Sequence, residues 1–155
     1  MKDYMRFAMM TAGFTGTRRP VSSMQRENLM RVIGDLRLPE GHHGDCINAD
    51  AEFHFLCRSF AVKLVIHPPS DPRFRAFCPP GLMDEIRDPK PYLARNMDIV
   101  TESSFLIAVP DRPRPADSRG SGTWTTVGYA GQMGMGTIIL HPDGRMEVDG
   151  RPLVR

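Results

Sequence analysis

Cysteine is scarce in this sequence. Cys46, Cys57 and Cys78 are odd in number and irregularly spaced. That is no disulfide framework, and it fits a reducing compartment. Long apolar runs are missing as well. None approaches the roughly 20 residues needed to span a bilayer, and the first residues lack an apolar stretch ending in a small-residue cleavage site. The expectation is a cytoplasmic protein with no membrane partner. A strong charge of either sign is also missing. Twenty Lys and Arg against 18 Asp and Glu leave a net charge of +2, which argues against nucleic acid as a partner.

What is present suits one folded unit. A chain of 155 residues, 41% hydrophobic and 25% charged, is long enough for a single domain, 1–155, with its own core. No internal repeat breaks it. Tyr4 to Thr11 is mostly apolar and predicts a strand buried on both faces. Ser22 with Gln25 three residues later has the form of a capping box. Leu29, Val32, Ile33 and Leu36 follow at the spacing of an amphipathic helix, which Pro39 closes. Around His42 and His43 there is room for a short strand, and Asn48 or Asp50 can cap a helix whose inner face carries Ala49, Phe53, Leu56, Cys57 and Phe60.

Ala61 to Ile66 predicts the next strand. Residues 67–91 form a long Pro-rich connection, either a lid over a site or an exposed insertion, with a short helix near Leu82 to Arg87. Tyr92 to Glu102 is helical by period, and the apolar run Phe105 to Val109 is a buried strand. A helix over Thr123 to Met133, a strand over Thr137 to Leu140 and a turn at Asp143-Gly144 complete the chain. The fold class predicted is α/β: a single-domain, Rossmann-like, doubly wound and mostly parallel sheet, with helices on both faces and a short C-terminal hairpin.

In such a sheet, ligands sit beyond the carboxyl ends of the strands. Three polar, glycine-containing loops leave those ends here: Gly13 to Arg19, Gly44 to Asp50, and Arg119 to Trp124. The last is a Gly-rich turn between a strand and a helix start, where backbone N–H groups and the helix dipole favour an anion. Arg95 and Asn96 lie on the helix ahead of the fourth predicted strand, Phe105 to Val109. Arginine offers a bidentate phosphate contact, and asparagine offers a donor and an acceptor to sugar or base. Asp45 and Asp50 can accept from ribose hydroxyls. Trp124 either stacks on a base or belongs to the core.

In this order the motifs resemble the SLOG superfamily of Rossmann-like nucleotide-binding proteins, which includes the LOG phosphoribohydrolases, the DprA proteins and small YspA/YpsA-like proteins. Thr15-Gly16-Thr17-Arg18 resembles the first glycine-and-arginine loop of that superfamily. Gly44-Asp45-Cys46-Ile47-Asn48-Ala49-Asp50 resembles its Gly-Gly-Ala-x-Gly-Ala-Asp segment, and Arg95-Asn96 its Arg-Asn pair. Gly120-Ser121-Gly122-Thr123 stands where LOG proteins carry Gly-Gly-x-Gly-Thr. The resemblance implies a nucleotide or nucleotide-derived ligand, no resident cofactor, and a homodimer. It implies binding by Gly13, Thr15, Gly16, Thr17, Arg18, Gly44, Asp45, Asp50, Arg95, Asn96, Gly120, Ser121, Gly122, Thr123 and Trp124.

One departure bears on chemistry. LOG enzymes carry a glutamate three residues after the last threonine, and it serves cleavage of the N-glycosidic bond. Thr126 stands at that position and cannot act as a carboxylate. The binding half of the site is therefore expected without its catalytic half, and any turnover would fall to Asp45 or Asp50. His42, His43, Asp45 and Cys46 have metal-ligand residue types, but adjacent histidines on a strand face opposite ways. No metal is expected on them. Cys46 with His43 as its base is a chemically possible nucleophile, although a buried structural thiol is the expected state.

Overall fold

The computed structural model describes residues 2–117 and 121–154. A 3-10 turn, Asp3–Phe7, precedes strand β1 (Ala12–Gly16), helix α1 (Ser23–Leu36), β2 (Glu40–His43), α2 (Ala49–Ser59) and β3 (Lys63–Ile66). A second 3-10 turn, Pro72–Phe74, leads to β4 (Glu85–Ile86), α3 (Tyr92–Thr101), β5 (Phe105–Val109), α4 (Gly122–Gln132), β6 (Thr137–Leu140) and β7 (Met146–Asp149). The strands form one sheet in the order β4-β3-β2-β1-β5-β6-β7. All pairs are parallel except β6 with β7, which close the C-terminal hairpin. This is a Rossmann-like doubly wound sheet. No helix among the described residues is long and apolar enough to cross a membrane.

The alternation of β5 separates the two cores. Phe105, Ile107 and Val109 join Phe14, Leu29, Ile33, Leu36 and Phe53 on the side of α1 and α2. Leu106 and Ala108 join Val100, Trp124, Val127, Ala130 and Ile139 on the side of α3 and α4. Side chains two apart on a strand share a face, so one continuous apolar run feeds both layers. Phe14 stacks on Phe53 with ring centroids 4.4 Å apart.

The capping box at α1 is complete. Ser22 Oγ accepts from the Gln25 backbone N–H at 3.1 Å, and the Ser22 N–H donates to Gln25 Oε1 at 3.0 Å. The buried Gln25 amide also donates to the carbonyls of Pro110 at 2.6 Å and Leu140 at 2.9 Å, so it ties α1 to the ends of β5 and β6.

Two expectations are corrected. The first strand is not Tyr4 to Thr11: the apolar stretch makes the 3-10 turn, and β1 begins at Ala12. Tyr4 and Phe7, three residues apart, fall on one side of such a turn, and both are buried. β1 itself contains Gly13 and Gly16, and glycine is depleted in strands. It is needed here because helices press on the strand. A Cβ at Gly13 would lie 2.7 Å from Ser103 Oγ, and one at Gly16 would collide with the Ala49 side chain. The helix expected near Leu82 to Arg87 is instead the two-residue edge strand β4.

Candidate functional site

The chain runs outward from β1 through β2, β3 and β4, then returns to the other side of β1 as β5. The carboxyl ends of β1 and β5 are therefore the point where strand order reverses, and a crevice opens there. A cleft of ≈ 290 Å³ occupies it. From β1 and the loop after it come Thr15, Gly16, Thr17 and Arg18; from the β2–α2 loop and the start of α2, Gly44, Cys46 and Asp50; from α3, Tyr92, Arg95 and Asn96; from the cap and first turn of α4, Ser121, Gly122 and Thr123. Arg19, Asp111 and Arg112 line it as well.

Ser121 caps α4, and its Oγ accepts from the Trp124 N–H at 3.2 Å. The first turn of a helix has N–H groups with no intrahelical acceptor, so this wall of the cleft suits an anion. Across from it, Arg95 is 5% exposed. Its Nη1 donates to the carbonyls of Gly44 and, at 3.0 Å, His67; its Nε donates to Asn96 Oδ1 at 2.7 Å; its Nη2 reaches Cys46 Sγ at 3.8 Å. All of these partners are neutral. Gly44 is a glycine for Arg95's sake, because a Cβ there would overlap the guanidinium. Arg18 is stacked over two rings, Phe74 at 4.5 Å and Tyr92 at 5.4 Å.

Asp50 is the buried acid of the cleft. It accepts from the Cys46 N–H at 3.0 Å. Burial pushes its carboxyl up to about 6, against the pull of Arg95 and the backbone N–H groups. Cys46 is held as a thiol: burial, with Asp50 adding to it, pushes it up to about 11 although Arg95 is close. The loop that carries these groups is locally strained. Asp45 has φ 57° and Asn48 φ 69°, positions that Asp and Asn tolerate better than most residues.

Not every expected residue reaches the cleft. Asp45 is buried but turned away: its carboxylate accepts from Arg75 Nε at 2.9 Å and from the Cys78 N–H at 2.9 Å, so it anchors the 67–91 connection. Gly13 lies under Ser103 and Ile99. Trp124 is 2% exposed and part of the core, with its Nε1 donating to the Arg112 carbonyl at 3.2 Å. Gly120 lies outside the described residues. Thr126 is buried in α4, its Oγ1 donating to the Gly122 carbonyl at 2.8 Å. Sequence reading missed Tyr92 and Asp111. Tyr92 carries a signal: it sits three residues before Arg95, on the same face of α3.

His42 and His43 do face opposite ways, and each finds its own partners. His43 Nδ1 accepts from the Asp45 N–H at 3.0 Å, and its Nε2 meets His54 Nδ1 at 2.9 Å; His54 Nε2 meets the Pro79 carbonyl at 2.8 Å. The end partners fix both tautomers, and the chain of hydrogen bonds is complete. Burial holds His43 far below the usual histidine range. Both of its ring nitrogens are engaged with partners other than Cys46, so this arrangement does not pair it with that thiol as a base. His42 instead meets His67 and Glu40 on the other face.

No family model matches the chain, and no curated protein matches it. Solved structures do. The molybdenum cofactor binding protein from the phototrophic bacterium Rippkaea orientalis superposes with a TM-score of 0.63 at 17% identity, covering 84% of this chain and 76% of that one. The X-ray structure of TM1055, a structural-genomics target, gives a TM-score of 0.63 at 14% identity, covering 85% of this chain and 74% of that one. At these identities the likeness is one of fold.

Proposed function

We propose that this chain binds a phosphate-bearing nucleotide or nucleotide-derived molecule in the cleft at the ends of β1 and β5. One observation carries the reading. Arg95 is a buried guanidinium with neutral hydrogen-bond partners, and it lines the same cleft as the capped start of α4. Asp50 is close enough to feel the Arg95 charge, but its carboxyl is pushed up to about 6, so a phosphate placed there would add to the charge balance of a buried cation and meet the helix terminus as well.

In this reading Ser121, Gly122, Thr123 and Gly120 hold the phosphate, with Thr17 and Arg18 beside it. Asn96 and Asp50 address the sugar. The order of the motifs supports membership of the SLOG superfamily, and with it a homodimer in the cytoplasm. The ligand leaves intact, because Thr126 offers no carboxylate and is turned into its own helix.

A hydrolase is the second reading. Asp50, its carboxyl pushed up to about 6, is the group suited to move a proton at physiological pH among the described residues of the cleft. The two readings separate in one experiment. The purified chain is incubated with nucleoside mono- and diphosphates and cyclic nucleotides. The molybdenum cofactor joins the panel because the Rippkaea orientalis protein is described as binding it. Saturable binding with the ligand recovered unchanged supports the binding protein. Release of free base or ribose phosphate that Asp50→Asn abolishes supports the hydrolase. If nothing binds and Arg95→Ala alters nothing, the site itself is wrong.

A further inference from the structure

Arg18 differs from the other arginines that line the cleft. Arg95 donates to two carbonyls and to Asn96, and Arg19 and Arg112 flank Asp111 at 3.5 and 3.1 Å. The Arg18 side chain makes no hydrogen bond and no ion pair to any of the described residues; its contacts are the faces of Phe74 and Tyr92. Ring faces attract a cation but leave its forked N–H donors without an oxygen.

Neighbouring residues of the β2–α2 loop hold both halves of this contact. Asn48 Nδ2 donates to the Arg18 carbonyl, and the Ala49 N–H donates to the Thr17 carbonyl at 3.3 Å. The Ile47 N–H donates to the Phe74 carbonyl at 2.9 Å, and the Ala76 N–H to the Asp45 carbonyl at 2.7 Å. Arg75, beside Phe74, pairs with the Asp45 carboxylate. Tyr92 is tied to the same connection, its hydroxyl donating to the Asp71 carbonyl at 3.4 Å. The 67–91 connection thus sets a ring against Arg18, and one loop fixes the ring and the arginine together.

Arg18 also meets the cleft from the side opposite α4. β1 is flanked by β2 and β5. The start of α4 follows β5, whereas Phe74 is bonded to the loop that follows β2. A phosphate seated on the first turn of α4 takes the N–H groups there and leaves the Arg18 fork for another group. The guanidinium carbons of Arg18 and Arg95 each lie 5.4 Å from the centre of the Tyr92 ring. The two cations are therefore at most twice that distance apart, within the length of one nucleotide.

We propose that Arg18 on its Phe74 shelf is a second anion position, and that the ligand of the cleft carries two phosphoryl groups, one at the start of α4 and one at Arg18. The proposal rests on the nucleotide reading given above and narrows it. A guanidinium takes two phosphoryl oxygens in parallel N–H···O bonds. A ring against the side chain restricts it before the ligand arrives, which lowers the ordering cost of binding. Two arrangements share this chemistry: adjacent phosphoryl groups, as in a nucleoside 5′-diphosphate, and groups on either side of the ribose, as in a nucleoside 3′,5′-bisphosphate.

The test titrates the full chain calorimetrically with the 5′-monophosphate, the 5′-diphosphate and the 3′,5′-bisphosphate of each common nucleoside. One of the doubly phosphorylated ligands should bind roughly 10- to 100-fold more tightly than the monophosphate of the same base, and the one that does names the arrangement. This advantage should be lost in Arg18→Gln and in Phe74→Leu. It should persist in Phe74→Tyr, which keeps the ring, and in Arg31→Gln, on α1 outside the cleft. Thermal unfolding checks that each variant folds. If the monophosphate binds and neither doubly phosphorylated ligand binds more tightly, the second position is wrong while the cleft reading stands. The proposal is likewise overturned if the advantage survives in Arg18→Gln or Phe74→Leu, or is lost as fully in Phe74→Tyr or Arg31→Gln. If none of the ligands binds, the cleft reading falls and the second position with it.

Discussion

The Arg95 guanidinium lies where a Cβ on Gly44 would stand, and its Nη1 donates to the Gly44 carbonyl. α3 and the β2–α2 loop are thus locked to each other at the floor of the cleft. Gly44→Ala should force the guanidinium out, with an overpacking cost of about 1–3 kcal/mol. Urea denaturation should show this cost. Ligand titration should show weakened binding, because the displaced cation no longer faces the cleft. Unchanged stability and affinity would mean that the Gly44–Arg95 contact is incidental.

Arg95→Ala removes the cation without adding bulk. Charge-assisted hydrogen bonds are worth about 1.5–3 kcal/mol, so affinity for the phosphate-bearing ligand should fall roughly 10- to 100-fold. Isothermal titration of the variant and the native chain with the same ligand measures it.

Asp50 should make the fold less stable as pH rises. Its carboxyl is raised from 3.8 to about 6, so between these values the folded chain binds a proton that the unfolded chain has released. Stability from this group is present below about pH 4 and is lost as pH climbs through 6. The loss is at most about 3 kcal/mol for a shift of about two units. Asp50→Asn keeps an acceptor for the Cys46 N–H. It should be more stable than the native chain at pH 7 and equal to it near pH 4, as denaturant midpoints at the two pH values will report.

The three cysteines should be silent in the folded chain. All are buried, and burial raises Cys46 to about 11 and the other two higher still. A thiol-reactive disulfide reagent at pH 8 should modify none quickly in buffer and all three in guanidinium. Rapid labelling of Cys46 in the native state would revive it as a nucleophile.

The cap of α4 separates stability from recognition. Ser121→Ala should cost about 1 kcal/mol, whereas Ser121→Gly should cost only a few tenths. If the hydroxyl also meets the ligand, both variants should lose affinity equally while their thermal midpoints differ.

Most of the sheet was legible because its signals are local. β5 is an unbroken apolar run, and α1 shows both its stripe and its capping box. β1 was not legible, because Gly13 and Gly16 are chosen by helices that arrive much later in the chain. β4 was not legible either: two exposed residues are a strand only because β3 offers an edge. Within the cleft, residues at strand ends were readable from topology alone. The direction of a side chain was not. Asp45 and Asp50 look equivalent in sequence, yet Arg75 and Cys78 draw Asp45 to the other side. Likewise the pairing of His42 with His67 depends on β2 lying beside β3, which no local pattern reveals.

The central claim is that a phosphate-bearing ligand sits between the start of α4 and the β1 loop. Amide chemical-shift mapping during titration with nucleoside monophosphates tests it most directly. Saturable shifts at Thr17, Arg18, Gly122 and Thr123, lost in Arg95→Ala, are the predicted result. Shifts confined to another face, or none across the nucleotide panel, would contradict it.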